Sequence, residues 1–222
     1  MPRIEPFERH LAEYEQWFEN NRWAYFSELE AIKRLLPVKE KGVEIGVGSG
    51  LFAKPLGIKI GLEPSPKMAE MARKRGIKVV EGVAEKLPFE DETFNFALMV
   101  TTICFLDDVG KSLLETNRIL KSEGHILIGF VDRESPIGQQ YEKNKEKNVF
   151  YRLATFYSVP EVILFLQNAG FSDFAIRQTL FKPLDQINAL EPVEEGYGKG
   201  SFIVIRAKKR KNIERRISSD LK

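Results

Sequence analysis

Between residues 42 and 131, short apolar runs alternate with amphipathic segments, and this alternation restricts the chain to a small set of architectures. VEIGV (43–47), IKIGLE (58–63), KVVEG (78–82), FNFALMV (94–100) and HILIGFV (125–131) read as strands. Between them LFAKPL (51–56), PKMAEMARKRG (66–76) and VGKSLLETNRILKSEG (109–124) carry the spacing of helices, the first of them short. HILIGFV is apolar enough to be covered on both faces, as parallel strands between helix layers are. Strands and helices of this length in alternation predict an α/β fold with a doubly wound, mostly parallel sheet.

The flanks are less regular. Residues 132–157 are polar and then aromatic, too long for an unstructured connection. Ser158 and Glu161 form an S-x-x-E capping box ahead of a helix that ends at Gly170. DFAIRQTLF (173–181) and SFIVIRAKK (201–209) are strand-like with no helical pattern between them, so they are expected to pair antiparallel at one side of the sheet. Upstream, residues 6–36 predict one or two amphipathic helices rich in Tyr14, Trp17, Phe18, Trp23, Tyr25 and Phe26.

Composition removes several classes of function. No apolar run approaches the ~18 to 20 residues that span a bilayer, and the charged start MPRIEPFERH is unlike a signal peptide, so a cytoplasmic protein is expected. Cys104 is the single cysteine and His10 and His125 the two histidines, too few for a Cys/His metal centre, and no metal is expected. The net charge of +2 hides an asymmetry, because Arg206–Arg216 holds seven basic residues against Glu214. A terminal basic run reads first as a solvated end, and no aromatic residue interleaves it to stack on bases, so nucleic acid is a minor expectation.

EIGVGSG (44–50) occupies the turn after the first strand, the usual ligand site of a wound sheet. The dinucleotide pattern G-x-G-x-x-G/A would need Gly or Ala at position 51, which is Leu51. The pattern is instead E-x-G-x-G-x-G, in Glu44, Gly46, Gly48 and Gly50. Glu63 ends the second strand, where a carboxylate can accept from both hydroxyls of a ribose.

With these features in hand the chain resembles the Rossmann-like S-adenosylmethionine-dependent methyltransferases, in particular the small-molecule group that includes quinone-biosynthesis enzymes. The resemblance rests on VEIGVGSGLFA, GLEPSPKMAEMARKRG, VEGVAEKLPFEDETFNFALMVTTICFLDD, ETNRILKSEGHILIGF and FYSVPEVILFLQNAGF in family order, over about residues 40–180. It implies a seven-stranded sheet of order 3-2-1-4-5-7-6 with strand 7 antiparallel. It divides the chain into a helical extension or lid at 1–36, a methyltransferase domain at 37–209 with an acceptor-side insertion at 132–157, and a basic tail at 210–222.

The resemblance also assigns roles. Gly46, Gly48 and Gly50 would form the loop under the methionine part of S-adenosylmethionine, with Glu44 ordering that loop or its ammonium. Glu63 would bind the ribose; Pro64 and Met68 would border the adenine, and Val83, Ala84, Glu85 and Leu87 would lie along its edge. Val83 departs from the family, which commonly has Asp there to accept from the adenine amine. Thr101 and Thr102, at the carboxyl end of the fourth strand, could face the methionine and the acceptor, and read equally well as β-rich residues leaving a strand. The implied partner is a small-molecule methyl acceptor. Two other readings are a non-catalytic S-adenosylmethionine-binding protein and an RNA methyltransferase that uses the basic tail.

Overall fold

The computed structural model describes residues 4–37 and 40–210. Eight strands form one sheet: β1 (Gly42–Ile45), β2 (Ile60–Glu63), β3 (Lys78–Glu81), β4 (Phe94–Val100), β5 (Leu120–Val131), β6 (Phe171–Thr179), β7 (Glu194–Glu195) and β8 (Phe202–Lys209). Their order is β3-β2-β1-β4-β5-β8-β6-β7. The first five pair in parallel, and β8 runs antiparallel between β5 and β6. The expected order is therefore present, with β8 as its antiparallel member. The expectation of seven strands is exceeded by β7, a two-residue edge segment paired with Arg177 and Gln178 of β6.

The helices are α1 (Glu5–Arg9), α2 (Leu11–Asn20), α3 (Arg22–Lys33), α4 (Ala53–Leu56), α5 (Pro66–Lys74), α6 (Val109–Ile119), α7 (Pro136–Asn144) and α8 (Val159–Asn168). Local chemistry explains several boundaries. Ser65 opens α5 by accepting from Met68 N at 3.3 Å, and Pro66 stands where its missing N–H costs no helical bond. The Ser158/Glu161 capping box is present at the start of α8.

Two expectations are corrected. The helix expected over 109–124 ends at Ile119, because Leu120 is extended (φ −78°, ψ 137°), fully buried, and paired with Phe94. Glu123 then takes a left-handed φ of 63° beside a register shift between Phe94 and Phe96. Upstream there are three helices, not one or two. The insertion at 132–157 contains α7 and two 3-10 turns, Lys145–Lys147 and Tyr151–Leu153.

Separate apolar layers cover the two faces of the sheet. One gathers Val43, Ile45, Met99, Leu113, Ile128 and Leu166. The other gathers Ile32, Phe52, Ala72, Leu98, Val204 and Phe202, so α3 belongs to the covering layer of the sheet. Helices α1 and α2 lie over the carboxyl ends of the strands, with Phe18 of α2 packed on Phe52 of that layer. Glu8 of α1 accepts from Lys67 N (3.1 Å) and bonds the Ser65 hydroxyl, while Arg75 pairs with Glu15 of α2 and donates to Ser49 O at 2.7 Å. No helix among the described residues is long and apolar enough to cross a membrane. Of the basic run, residues 211–222 lie outside the described residues.

Candidate active site

A cavity of about 460 Å³ lies at the carboxyl ends of β1, β2 and β4, within the range of small-molecule and cofactor sites. Its floor is the glycine turn. Gly46 (φ +72°) and Gly48 (φ +54°) hold left-handed backbone that side chains resist. Sterics reinforce the choice at Gly46, where a Cβ would fall 2.5 Å from Thr102 Cγ2 and Oγ1. Both Gly46 N and Val47 N donate to Leu62 O, at 2.8 and 2.9 Å, which ties the turn to the end of β2.

Glu63 stands at that end, 7% exposed and lining the cavity. Its Oε2 accepts from Gly48 N at 2.8 Å and its Oε1 from Ser65 N at 3.0 Å. A carboxylate has about four acceptor positions, so each oxygen keeps capacity for a ligand. Burial raises the Glu63 carboxyl to about 7 despite those two N–H groups.

Glu44 is 2% exposed on β1, and burial, reinforced by Glu63, pushes its carboxyl well up. The Ala53 N–H bonds this carboxyl, but Oε2 has no partner among the described residues. A buried acceptor without a donor costs about 1–3 kcal/mol, more when charged, so this oxygen has a place for a cation or an N–H donor.

Among the expected site residues, Gly46, Gly48, Glu63, Pro64, Met68, Val83, Ala84, Glu85, Thr101 and Thr102 border the cavity. Glu44, Gly50 and Leu87 stand behind that lining. Gly50 has a packing reason for its identity, since a Cβ would lie 2.5 Å from Ile77 Cδ1. Leu87 is buried in the core and donates its N–H to Glu115 Oε2 at 2.9 Å. Glu85 Oε1 accepts from Asp107 N (2.9 Å) and Asp108 N (3.3 Å), fixing the loop after β4. Thr101 has a left-handed φ of 50°, uncommon for a β-branched residue, and leaves β4 so that Thr102 lies against Gly46.

Much of the remaining lining is aromatic. Tyr14, Trp17 and Phe18 of α2 face Tyr141 of α7 and Phe150 and Tyr151 of the insertion. Tyr141 and Tyr151 stack with ring centres 4.6 Å apart. The Tyr14 hydroxyl is 3.4 Å from where a Gly48 Cβ would lie. Burial, then the nearby Glu63 and Glu44 charges, holds the Tyr14 phenol far above its ordinary value. Trp23 is not part of this wall; it stacks under the Arg22 guanidinium. His10 bonds Glu13, and His125 lies away on β5 opposite Lys208.

One residue of the wall escaped sequence reasoning. Glu28 of α3 lines the cavity at 4% exposure, and burial alone raises its carboxyl to about 8. The signal was present: Ala24, Ser27, Glu28, Ala31 and Ile32 follow the i, i+3, i+4, i+7, i+8 stripe of an inward helix face, and all five are buried.

A methyltransferase-domain family model matches residues 43–128, the span that holds the glycine turn, Glu63 and β4. An uncharacterized protein of Methanocaldococcus jannaschii is 47% identical over 203 residues, 91% of this chain and 98% of that protein. A crystal structure from Thermotoga maritima, described as a SAM-dependent methyltransferase and possible histamine N-methyltransferase, is 56% identical with a TM-score of 0.92. It covers 93% of this chain and 100% of its own. The chain belongs to the S-adenosylmethionine-dependent methyltransferases. A more distant member of this methyltransferase group, the demethylmenaquinone methyltransferase of Chlorobaculum tepidum, is 30% identical over 149 residues, 63% of this chain and 61% of its own. The cofactor of the methyltransferase is S-adenosylmethionine, and the carboxylates and glycine turn at the β1 and β2 ends have the chemistry to suit it.

Proposed function

We propose that the enzyme transfers a methyl group to a small-molecule acceptor, with cofactor and acceptor sharing the one cavity. The observation that carries this reading is one cavity lined both by the glycine turn with the buried Glu63 and by the rings of Tyr14, Trp17, Tyr141 and Tyr151, with the Tyr14 hydroxyl close to Gly48. S-adenosylmethionine supplies a methyl group already activated on a sulfonium, so the protein's task is alignment and exclusion of water.

In this reading Glu63 accepts from the ribose hydroxyls with the capacity left beyond Gly48 and Ser65. Gly46 and Gly48 give the methionyl end its close approach to backbone, Gly50 keeps the turn packed on α5, and the unpaired Glu44 oxygen orders that region toward the ammonium. Pro64, Met68, Val83 and Ala84 take the adenine through apolar contact, since Val83 cannot accept a hydrogen bond and Glu85 is engaged by Asp107 and Asp108. Leu87 supports that wall from behind, and Thr101 and Thr102 shape the junction between the two parts as positioning residues. Helices α1 and α2 serve as the lid, and the 132–157 insertion supplies the acceptor wall.

The enclosure favours a small molecule over RNA, because the acceptor part is roofed by α2 and the insertion. The test is turnover: purified protein is incubated with S-adenosylmethionine and pooled small-molecule extract or, separately, total RNA. Formation of S-adenosylhomocysteine with the extract supports the reading. Formation with RNA alone, lost on deleting residues 211–222, would replace it with RNA methylation.

A further inference from the structure

We propose that Glu28 is the seat for an amine acceptor: its carboxylate binds the ammonium and takes its proton, so that the freed nitrogen lone pair forms the new N–C bond as the methyl–sulfur bond of S-adenosylmethionine breaks and S-adenosylhomocysteine leaves. The inference rests on the reading of the cavity as shared by cofactor and acceptor and names the acceptor class within it.

Three observations carry it. Glu28 lines the cavity yet is 4% exposed, and among the described residues no donor or cation bonds it. A buried carboxyl left alone in this way loses its charge unless a cation arrives, and its upward shift reports that pressure. Second, the charged residues of the lining are Glu13, Glu28, Glu63, Glu85, Asp107 and Lys147, five acids against one base. Glu13 is held by His10, Glu63 by Gly48 and Ser65, and Glu85 by the loop after β4, while Lys147 is exposed. Glu28 is thus a deep carboxyl with its valences open, and beyond the exposed Lys147 the lining offers an anion no charged partner. Third, the rings within electrostatic reach of Glu28 include Tyr14, Tyr141 and Tyr151. Aromatic faces attract ammonium groups as well as covering the apolar part of an amine.

Neutral acceptors fit this arrangement less well. An alcohol or hydroquinone would leave Glu28 protonated, as burial already favours, and gain no ion pair, and a phenolate would gain none either. An ammonium completes Glu28 without any change in the fold.

The experiment uses the full chain saturated with S-adenosylhomocysteine, titrated calorimetrically with 2-phenylethylamine, tryptamine and n-butylamine, and with 2-phenylethanol as the neutral counterpart of the first. At least one amine is expected to bind, with 2-phenylethanol weaker by about tenfold or more, the scale of a charge-assisted hydrogen bond. Glu28→Gln, which keeps shape and removes the charge, is expected to lose about tenfold or more in amine affinity. Its affinity for S-adenosylhomocysteine should stay within about twofold, which also certifies that the variant is folded. The proposal is overturned if no amine binds a protein that holds S-adenosylhomocysteine, if alcohol and amine bind alike, or if Glu28→Gln binds the amine as the wild type does. Failure of the wild type to hold S-adenosylhomocysteine would be a different result, removing the cofactor reading and the amine proposal with it.

Discussion

Gly48 N donates to Glu63 Oε2 at 2.8 Å across fifteen residues of chain, so the glycine turn and the acid at the end of β2 are one unit. Glu63→Ala therefore removes a ligand contact and the brace of the turn together. The expected loss in S-adenosylhomocysteine affinity is about 1.5–3 kcal/mol, the scale of a hydrogen bond to a charged group, read by calorimetry. The same binding should respond to pH. Because burial holds Glu63 near 7, the ionised acceptor is depleted as pH falls from 8 to 6, and affinity should fall with it. Glu63→Gln should bind more weakly but with that pH dependence gone; a wild type with flat affinity across this range would contradict the role.

Glycine substitutions separate crowding from backbone strain. Gly46→Ala meets both, since φ is +72° and Thr102 stands 2.5 Å from the new Cβ. Gly76, at φ +87°, has open space around it. Gly76→Ala should cost about 1 kcal/mol of stability, and Gly46→Ala about 2–4, with S-adenosylhomocysteine binding lost in the second only. Urea midpoints and calorimetry on the pair decide it; equal costs would mean that Thr102 moves aside freely.

Several features were legible in the residues alone. The five parallel strands stand out because each contains a short apolar stretch between helical segments, and FNFALMV matches β4 residue for residue. The α6 boundary was hidden because Leu120 continues the helical spacing of Leu113 and Ile119; only its partner across the sheet, Phe94, reveals a strand. The β7 segment, Glu194–Glu195, carries no strand signal, and its pairing is dictated by the neighbouring Arg177 and Gln178. Glu28 lay on a readable stripe, yet its exposure to a cavity depends on α7 and the 151–153 turn, more than a hundred residues away. Periodicity reports which face turns inward, and only tertiary packing decides whether that face meets apolar core or an open chamber.

Stability should fall as pH rises from about 4.5 to about 8. Glu28 and Glu63 bind protons more tightly folded, at about 8 and about 7, than the ordinary carboxyl value of 4.5, and Glu44 shifts the same way. The folded state therefore gains most below 4.5 and loses that advantage as pH rises through 8. Glu28→Gln should raise the melting temperature at pH 9 and narrow its difference from pH 6, by an amount corresponding to a few kcal/mol at most. Calorimetric melting of both proteins at the two pH values tests this, and an unchanged difference would show that Glu28 is compensated.

Arg75 pairs with Glu15 of α2 and donates to Ser49 O at 2.7 Å, linking the roof helix to the glycine turn. Arg75→Ala should loosen that link by about 1 kcal/mol and raise the hydrogen-exchange rate of α2 amides above those of α3. Exchange spreading equally over α2 and α3 would mean that the two helices open as one body.

Helices α1 and α2 cross the carboxyl ends of the strands, with Phe18 of α2 packed on Phe52 beyond the glycine turn, and α2 contributes a wall to the cavity. A chamber whose walls come from separate stretches of sequence is held to one shape by the bonds between those stretches. Because Glu8 bonds Ser65 and Lys67 and Glu15 pairs with Arg75, whose other contact is Ser49 of the glycine turn, a change in α1 or α2 is felt at both parts of the cavity.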